Sequence, residues 1–341
     1  MKPFKSRYYL YTAGTCVLLI IGLLYYYFFS TFSSHTVTYY VYIDEDDTAD
    51  SVFTKLVPLA QGHSITGLRT LARHSGYAGN IHTGRYAISP DDKTFTVFRH
   101  LRNGQQASLN LTIPESRTIE RLAGTLGRRL MIDSTVIAQA LTDSATCAQY
   151  GYDTATIISM FIPNTYDIYW NVSIDNFMER MKKEHDSFWN AERTGKAKSI
   201  GMSTVEVSTL ASIIDEETAN NSEKPMIAGM YYNRLQTGMP LQADPTIKFA
   251  LKDFALRRIY HKLLTIDSPY NTYKNTGLPP GPIKIASIAG IDAVLNHVSH
   301  DYLYMCAKED FSGTHNFART YEEHLRNAAK YTCALNERGI K

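Results

Sequence analysis

The sequence predicts an α+β protein with three parts: an N-terminal transmembrane helix, a small α+β module, and a larger, mostly helical α+β domain that carries the chemistry. Three observations predict it. Tyr8 to Phe29 runs 22 residues without a charge. Between Val37 and Ile113 the apolar pattern alternates between period 2 and period 3.6, and from Pro114 onward it turns mostly helical. The expected divisions are 1–33 for the cytoplasmic tip and anchor, 34–112 for the module and 113–341 for the large domain. A chain of 341 residues has room for two domains, since single cores stop growing at roughly 250–300 residues. An apolar share of 44% with 20% charged residues excludes a mostly disordered chain.

At helical rise the uncharged run covers about 33 Å, enough to cross a bilayer. Lys2, Lys5 and Arg7 precede it, and Asp44, Glu45, Asp46 and Asp47 follow some way beyond. The positive-inside rule therefore puts the N-terminus in the cytoplasm and residues 30–341 outside, as a single-pass protein of the cytoplasmic (inner) membrane. Tyr25, Tyr26 and Tyr27 would lie in the outer aromatic belt. A cleaved signal peptide has an apolar core of about 7–15 residues and a small-residue cleavage site. Here the run is too long and Ser30–Ser34 is a poor site, which favours an uncleaved anchor. Cys16 follows Ala13-Gly14-Thr15 in a faintly lipoprotein-like way, but the apolar run continues well past it.

Val37, Tyr39, Val41 and Ile43 alternate with polar or aromatic residues as a strand. Val52, Phe53 and Leu56 mark a helix, Leu68 and Leu71 a second that Gly76 breaks, and Thr83–Ile88 a returning strand. A further helix with Phe95, Phe98 and Leu101 leads to a strand at Leu109–Ile113. In the large domain, Ile119, Leu122 and Leu126 mark one helix and Val136, Ile137 and Leu141 another. Ser173 caps a long helix bearing Phe177, Met181 and Phe188. Pro225 opens a helix with Ile227, Met230 and Leu235 facing inward, stopped by Gly238. Ser287 caps a helix with Ile291, Val294 and Leu295. Tyr302–Ala307 reads as a buried strand, and Thr320-Tyr321-Glu322-Glu323 as a capping box opening the last helix.

Without the three leading basic residues the formal net charge of +2 becomes −1, which argues against phosphate-driven nucleic-acid binding. The four cysteines, Cys16, Cys147, Cys306 and Cys333, form no CxxC and no zinc ligand set, and no cofactor is expected. A Cys306–Cys333 bridge is open; free thiols are the expectation. His297 and His300 have i,i+3 spacing without a carboxylate partner and read as surface histidines.

One carboxylate stands apart. Ser203-Thr204-Val205-Glu206 forms a capping box, and the helix it starts runs to Thr218. Measured from Glu217 at about 100° per residue, Leu210, Ile213 and Ile214 fall within about 60°. Glu216 and Asp215 fall about 100° and 160° away, toward water. A carboxyl that ends an apolar stripe is desolvated, which raises its pKa and keeps it protonated, as a general acid requires. The alternative is a structural Glu that caps a neighbouring element or pairs with Arg234. Downstream, Ser268–Pro282 puts amide, hydroxyl and aromatic groups on a proline-stiffened loop suited to line a sugar site, and Thr314-His315-Asn316 can bring a histidine near the cleft.

Several stretches, in this order, resemble the YceG-like family: Leu210-Ala-Ser-Ile-Ile-Asp-Glu-Glu217-Thr, Tyr232-Asn-Arg-Leu235, Leu241-Gln-Ala-Asp-Pro-Thr246, Ser268-Pro-Tyr-Asn-Thr-Tyr273 and Gly277-Leu-Pro-Pro-Gly-Pro282. Weaker likeness extends from Gly84-Arg85-Tyr86 to His315, Phe317, Thr320 and Glu323. The family comprises endolytic murein transglycosylases. The resemblance implies a YceG-like catalytic domain and a LysM-like module, with Glu217 as the single catalytic residue. It implies cleavage of the MurNAc–GlcNAc bond within peptidoglycan glycan strands to give 1,6-anhydroMurNAc ends. Asn233, Gln242, Asp244, Tyr270, Asn271, Thr272, Tyr273 and His315 are then the expected substrate-binding residues. Peptidoglycan synthases enter as partners on the same resemblance. The sequence departs from the family pattern at Asp215, where Glu is usual, and at Asn164, Ser116 and Leu325. Two rival readings are a peptidoglycan hydrolase using Asp244 as second carboxylate and a non-catalytic peptidoglycan-binding scaffold.

Overall fold

The computed structural model describes residues 3–256 and 259–339, and the chain divides into two units. One comprises residues 1–110 with 167–172, the other residues 111–166 with 173–341.

The first unit begins with α1 (Pro3–Leu24), which passes into a π-helical turn, Tyr25–Phe29. Tyr8–Phe29 is long and apolar enough to cross a membrane, and Tyr8–Leu24 is exposed throughout. The turn is fastened to the body of the unit. The His63 ring stacks on Tyr26 at 4.1 Å and its Nε2 lies 2.7 Å from the Ser30 hydroxyl. Beyond the turn come β1 (Tyr39–Ile43), α2 (Ala49–Leu56), α3 (Gly62–Ser75), β2 (Gly84–Ile88) and α4 (Thr94–Arg102). Gly67 on α3 packs so closely on the π turn that a Cβ would overlap the Tyr27 carbonyl. β1 and β2 are antiparallel, with Val41 opposite Tyr86. Their inner faces join Val52, Leu56, Leu68, Val97 and Leu101 in one core, all nearly sealed from solvent. The strand expected from Val37 starts at Tyr39, because Val37 lies exposed outside the ladder.

In the second region of the chain, β3 (Leu109–Thr112) pairs with β4 (Thr165–Ile168). The helices are α5 (Ile119–Gly127), α6 (Ser134–Thr142), α7 (Ser144–Gln149), α8 (Ile174–Phe188), α9 (Ala191–Ser199), α10 (Thr204–Glu217), α11 (Lys224–Gln236), α12 (Asp244–Leu251) and α13 (Ile288–Leu295). The antiparallel pair β5 (Tyr304–Ala307) and β6 (His315–Ala318) precedes α14 (Tyr321–Glu337). Ser173, Ser287 and Thr320 cap α8, α13 and α14. α10 starts in the expected box, with the Ser203 N–H donating to Glu206 at 2.8 Å.

The position of α10 decides the rest. Every residue from Val207 to Ile214 is buried, so α10 is not a one-faced surface helix but the centre of the unit. α11, α12 and α13 pack around it. Full burial of side chains such as Leu210, Ile213 and Ile214 stabilises by roughly 1.5–3 kcal/mol each. Its buried hydroxyls have partners: Ser208 donates to Thr204 O at 2.9 Å, Thr209 to Val205 O at 2.8 Å, and Ser212 to Thr209 O at 2.7 Å while accepting the Ile283 N–H at 3.0 Å. β5, expected to be buried, is half-buried along its length because it forms one wall of a cavity. Cys147 is buried, Cys306 half-buried and Cys333 exposed, and all are free thiols.

Candidate active site

Glu217 is the last residue of α10 and opens onto a cavity of about 330 Å³. Gln242, Asp244, Tyr273 and His315 share its wall with Tyr231, Tyr304, Cys306 and His324. The carboxyl of Glu217 accepts the Tyr231 hydroxyl at 2.7 Å. Packed protein dehydrates it, and this burial pushes its pKa up to about 7. The Tyr231 bond opposes the rise, the Asp244 charge adds to it, and His315 and Lys248 oppose it. Arg234 does not pair with Glu217. Its guanidinium donates instead to the Leu303 carbonyl at 2.6 Å and the Leu241 carbonyl at 2.7 Å.

The two preceding carboxylates, expected to face water, do not. Asp215 has only 2% of its side chain exposed and accepts Lys224 Nζ at 2.7 Å, the Ser287 N–H at 2.6 Å and the Ser287 hydroxyl at 2.7 Å. Glu216 is gripped by Arg117, at 2.7 and 3.0 Å, and approached by Lys284 at 3.5 Å. A helix surrounded on all sides has no wet face, so each charge on it needs a partner. The last turn is thus clamped from two directions. Among the described contacts, Glu217 has a hydroxyl for partner and no cation.

Another part of the wall is set by a strained turn. Gln242 has φ +52°, a conformation uncommon outside glycine, and Thr272 holds it there. The Gln242 N–H donates to the Thr272 carbonyl and the Ala243 N–H to its hydroxyl, both at 3.0 Å. Asp244 comes next, in the first turn of α12, and accepts the Tyr273 hydroxyl at 2.6 Å. At the start of β6, His315 is held by Glu223, which accepts its backbone N–H at 2.6 Å and meets its Nδ1 at 3.0 Å.

Four of the expected substrate-binding residues do not line this cavity. Asn233 donates to the carbonyls of His300 and Tyr302, at 2.6 and 3.0 Å. Asn271 is fully buried and donates to those of Leu264 and Ile266. Thr272 is buried as the fastening of Gln242, and Tyr270 packs on Phe249 at 4.7 Å beside a different cavity. The Ser268–Pro282 loop therefore contributes Tyr273 to the wall, while the amides of Asn271 and Asn275 and the hydroxyl of Thr272 are spent on backbone atoms. His300 is not a surface residue either. Half-buried, it lies 2.9 Å from the Met226 carbonyl and accepts the Tyr302 N–H at 3.1 Å.

Sequence reasoning missed Tyr231 and Glu223. Tyr231 lies four residues after buried Ile227, on the stripe that already named Ile227 and Met230, so the helical angle could have found it. Glu223 carried no such signal. No group of three or more metal-ligating side chains occurs among the described residues.

The profile of the YceG-like family matches residues 41–330. The chain belongs to the YceG-like family. Among curated relatives, the endolytic murein transglycosylase of Bacillus subtilis strain 168 is 39% identical over 171 residues, covering 49% of this chain and 46% of that protein. The endolytic murein transglycosylase of Streptococcus pneumoniae serotype 2 strain D39 is 28% identical over 295 residues, covering 76% and 52%. The chain thus spans about half the length of the curated relatives it matches. The crystal structure of the yceG-like protein lmo1499 from Listeria monocytogenes aligns with a TM-score of 0.55 and 26% identity, over 86% of this chain and 99% of that one.

Proposed function

We propose that this YceG-like protein is a membrane-anchored endolytic lytic transglycosylase that cuts the MurNAc–GlcNAc bond within peptidoglycan glycan strands, with Glu217 as its single catalytic carboxylate. What supports this is a carboxyl that faces a cavity, has a neutral hydroxyl as its bonded partner, and has its pKa pushed up to about 7 by burial. Glu217 would protonate the glycosidic oxygen as the C1–O bond breaks. The muramyl N-acetyl group is available to stabilise the oxocarbenium-like centre, and the C6 hydroxyl of the same sugar attacks C1 to close a 1,6-anhydro ring. That nucleophile is intramolecular, so proximity lowers its entropic cost. In the simplest cycle its proton returns to ionised Glu217.

Asp244 favours a second reading, since it shares the cavity and a hydrolase needs two carboxylates. Digestion of purified glycan strands with mass spectrometry of the products separates the readings. Anhydro ends are expected for transglycosylation and reducing ends for hydrolysis, while no cleavage would leave only a scaffold. Glu217→Gln should fold and lose activity; retention of most activity would reject the assignment.

The finer topology belongs to the same proposal. Tyr8–Phe29 anchors the protein with Lys2, Lys5 and Arg7 in the cytoplasm, residues 34–112 act as a LysM-like glycan-binding module, residues 113–341 form the catalytic domain, and peptidoglycan synthases are candidate partners.

A further inference from the structure

We propose that Glu223 and His315 form a second proton-handling pair in the cavity, in which Glu223 fixes the imidazole as its Nδ1–H tautomer so that Nε2 takes the proton of the attacking hydroxyl. The inference rests on the transglycosylase reading and replaces its simplest cycle, in which Glu217 itself recovers the C6 proton, with a separate base.

A carboxylate only accepts hydrogen bonds. Glu223 spends both oxygens on one residue, Oε1 on the His315 backbone N–H at 2.6 Å and Oε2 on Nδ1 at 3.0 Å. Its side chain is 8% exposed, so the charge depends on those two contacts, and the second requires the ring proton on Nδ1. A neutral imidazole carries one N–H, which leaves Nε2 as a lone pair. His315 lines the cavity that Glu217 opens onto.

Three other groups of the wall already have partners. Asp244 accepts Tyr273, Tyr231 donates to Glu217, and Arg234 is spread over backbone carbonyls. His324 also lines the wall, but its Nδ1 is buried without a partner, so no carboxylate fixes its tautomer or would balance its charge.

The step balances. The C1–O bond breaks as the leaving oxygen takes the Glu217 proton. The C6 oxygen bonds to C1, and its proton passes to His315 Nε2. The imidazolium is paired with Glu223 until it returns a proton through solvent to Glu217, restoring both groups.

Two measurements on the full chain in detergent test this. ¹⁵N-histidine NMR at about pH 9, where an ordinary histidine is neutral, should show His315 protonated at Nδ1 and bare at Nε2, with the Nε2–H form gaining in Glu223→Gln. A wild-type ring protonated at Nε2 overturns the proposal, whatever the fate of the transglycosylase reading. His315→Asn keeps a donor toward Glu223 but removes Nε2. With melting temperature and KM preserved, its kcat on glycan strands should fall roughly 100-fold, within the range for losing a general base. A fall of less than about 3-fold overturns the proposal. Should His315→Asn not fold, Glu223→Gln supplies the kinetic arm, with a fall of about 10-fold expected and an unchanged kcat counting against the pair.

Discussion

Replacing Glu217 by Gln should stabilise the protein, and by an amount that depends on pH. Burial raises the Glu217 pKa from the ordinary 4.5 to about 7 in the folded chain. Below pH 4.5 the group is protonated both folded and unfolded, and folding meets no penalty. As pH rises toward 7 the unfolded chain ionises while the folded one resists, and stability falls. Above 7 the whole difference is lost, about 3 kcal/mol for a displacement of this size. Gln is neutral throughout, and its carbonyl can still accept the Tyr231 hydroxyl. Glu217→Gln should therefore match wild type at about pH 4 and exceed it by up to about 3 kcal/mol at about pH 8. Urea unfolding of the full chain in detergent, followed by fluorescence of the buried Trp189, measures the difference. A gap that stays constant with pH, or shrinks as pH rises, would refute the claim that Glu217 is held protonated by its surroundings.

Two further predictions concern its neighbours. Tyr231→Phe removes the hydroxyl bond that lowers the Glu217 pKa. A bond to a charged group is worth about 1.5–3 kcal/mol, so the alkaline limb of the pH–rate profile should move up by about 1–2 pH units; a downward movement would contradict the sign. Lys224→Ala strands the Asp215 carboxylate in the interior and should cost about 3–5 kcal/mol, read as a lowered urea midpoint. The double variant with Asp215→Asn should recover part of that loss, and a fully additive loss would show the two groups to be uncoupled.

The helical period made Glu217 legible because one carboxylate among three continued the run of Leu210, Ile213 and Ile214. The same geometry misread Asp215 and Glu216, since it describes a helix with a wet side and α10 has none. Their partners, Lys224, Ser287, Arg117 and Lys284, come from separate segments, and no local pattern announces them. Asn271 and Thr272 lie buried and off the cavity wall for a related reason. A polar, proline-rich loop can point its amides and hydroxyls at a ligand or at its own backbone, and composition does not distinguish these. The caps at Ser173, Ser203, Ser287 and Thr320 were readable because capping is settled within four residues. The Glu223–His315 contact spans 92 residues and lay beyond any local rule.

The junction at Tyr26, His63 and Gly67 gives the proposed anchor a mechanical character. A bilayer-length helix that stacks directly on the next fold, with no slack chain between them, behaves as a stiff post and not as a leash. On the proposed topology the first unit would stand at one fixed height above the lipid, and any sugar chains it met would be those emerging at that level. Inserting a flexible spacer after Ser30 would turn a set altitude into a range.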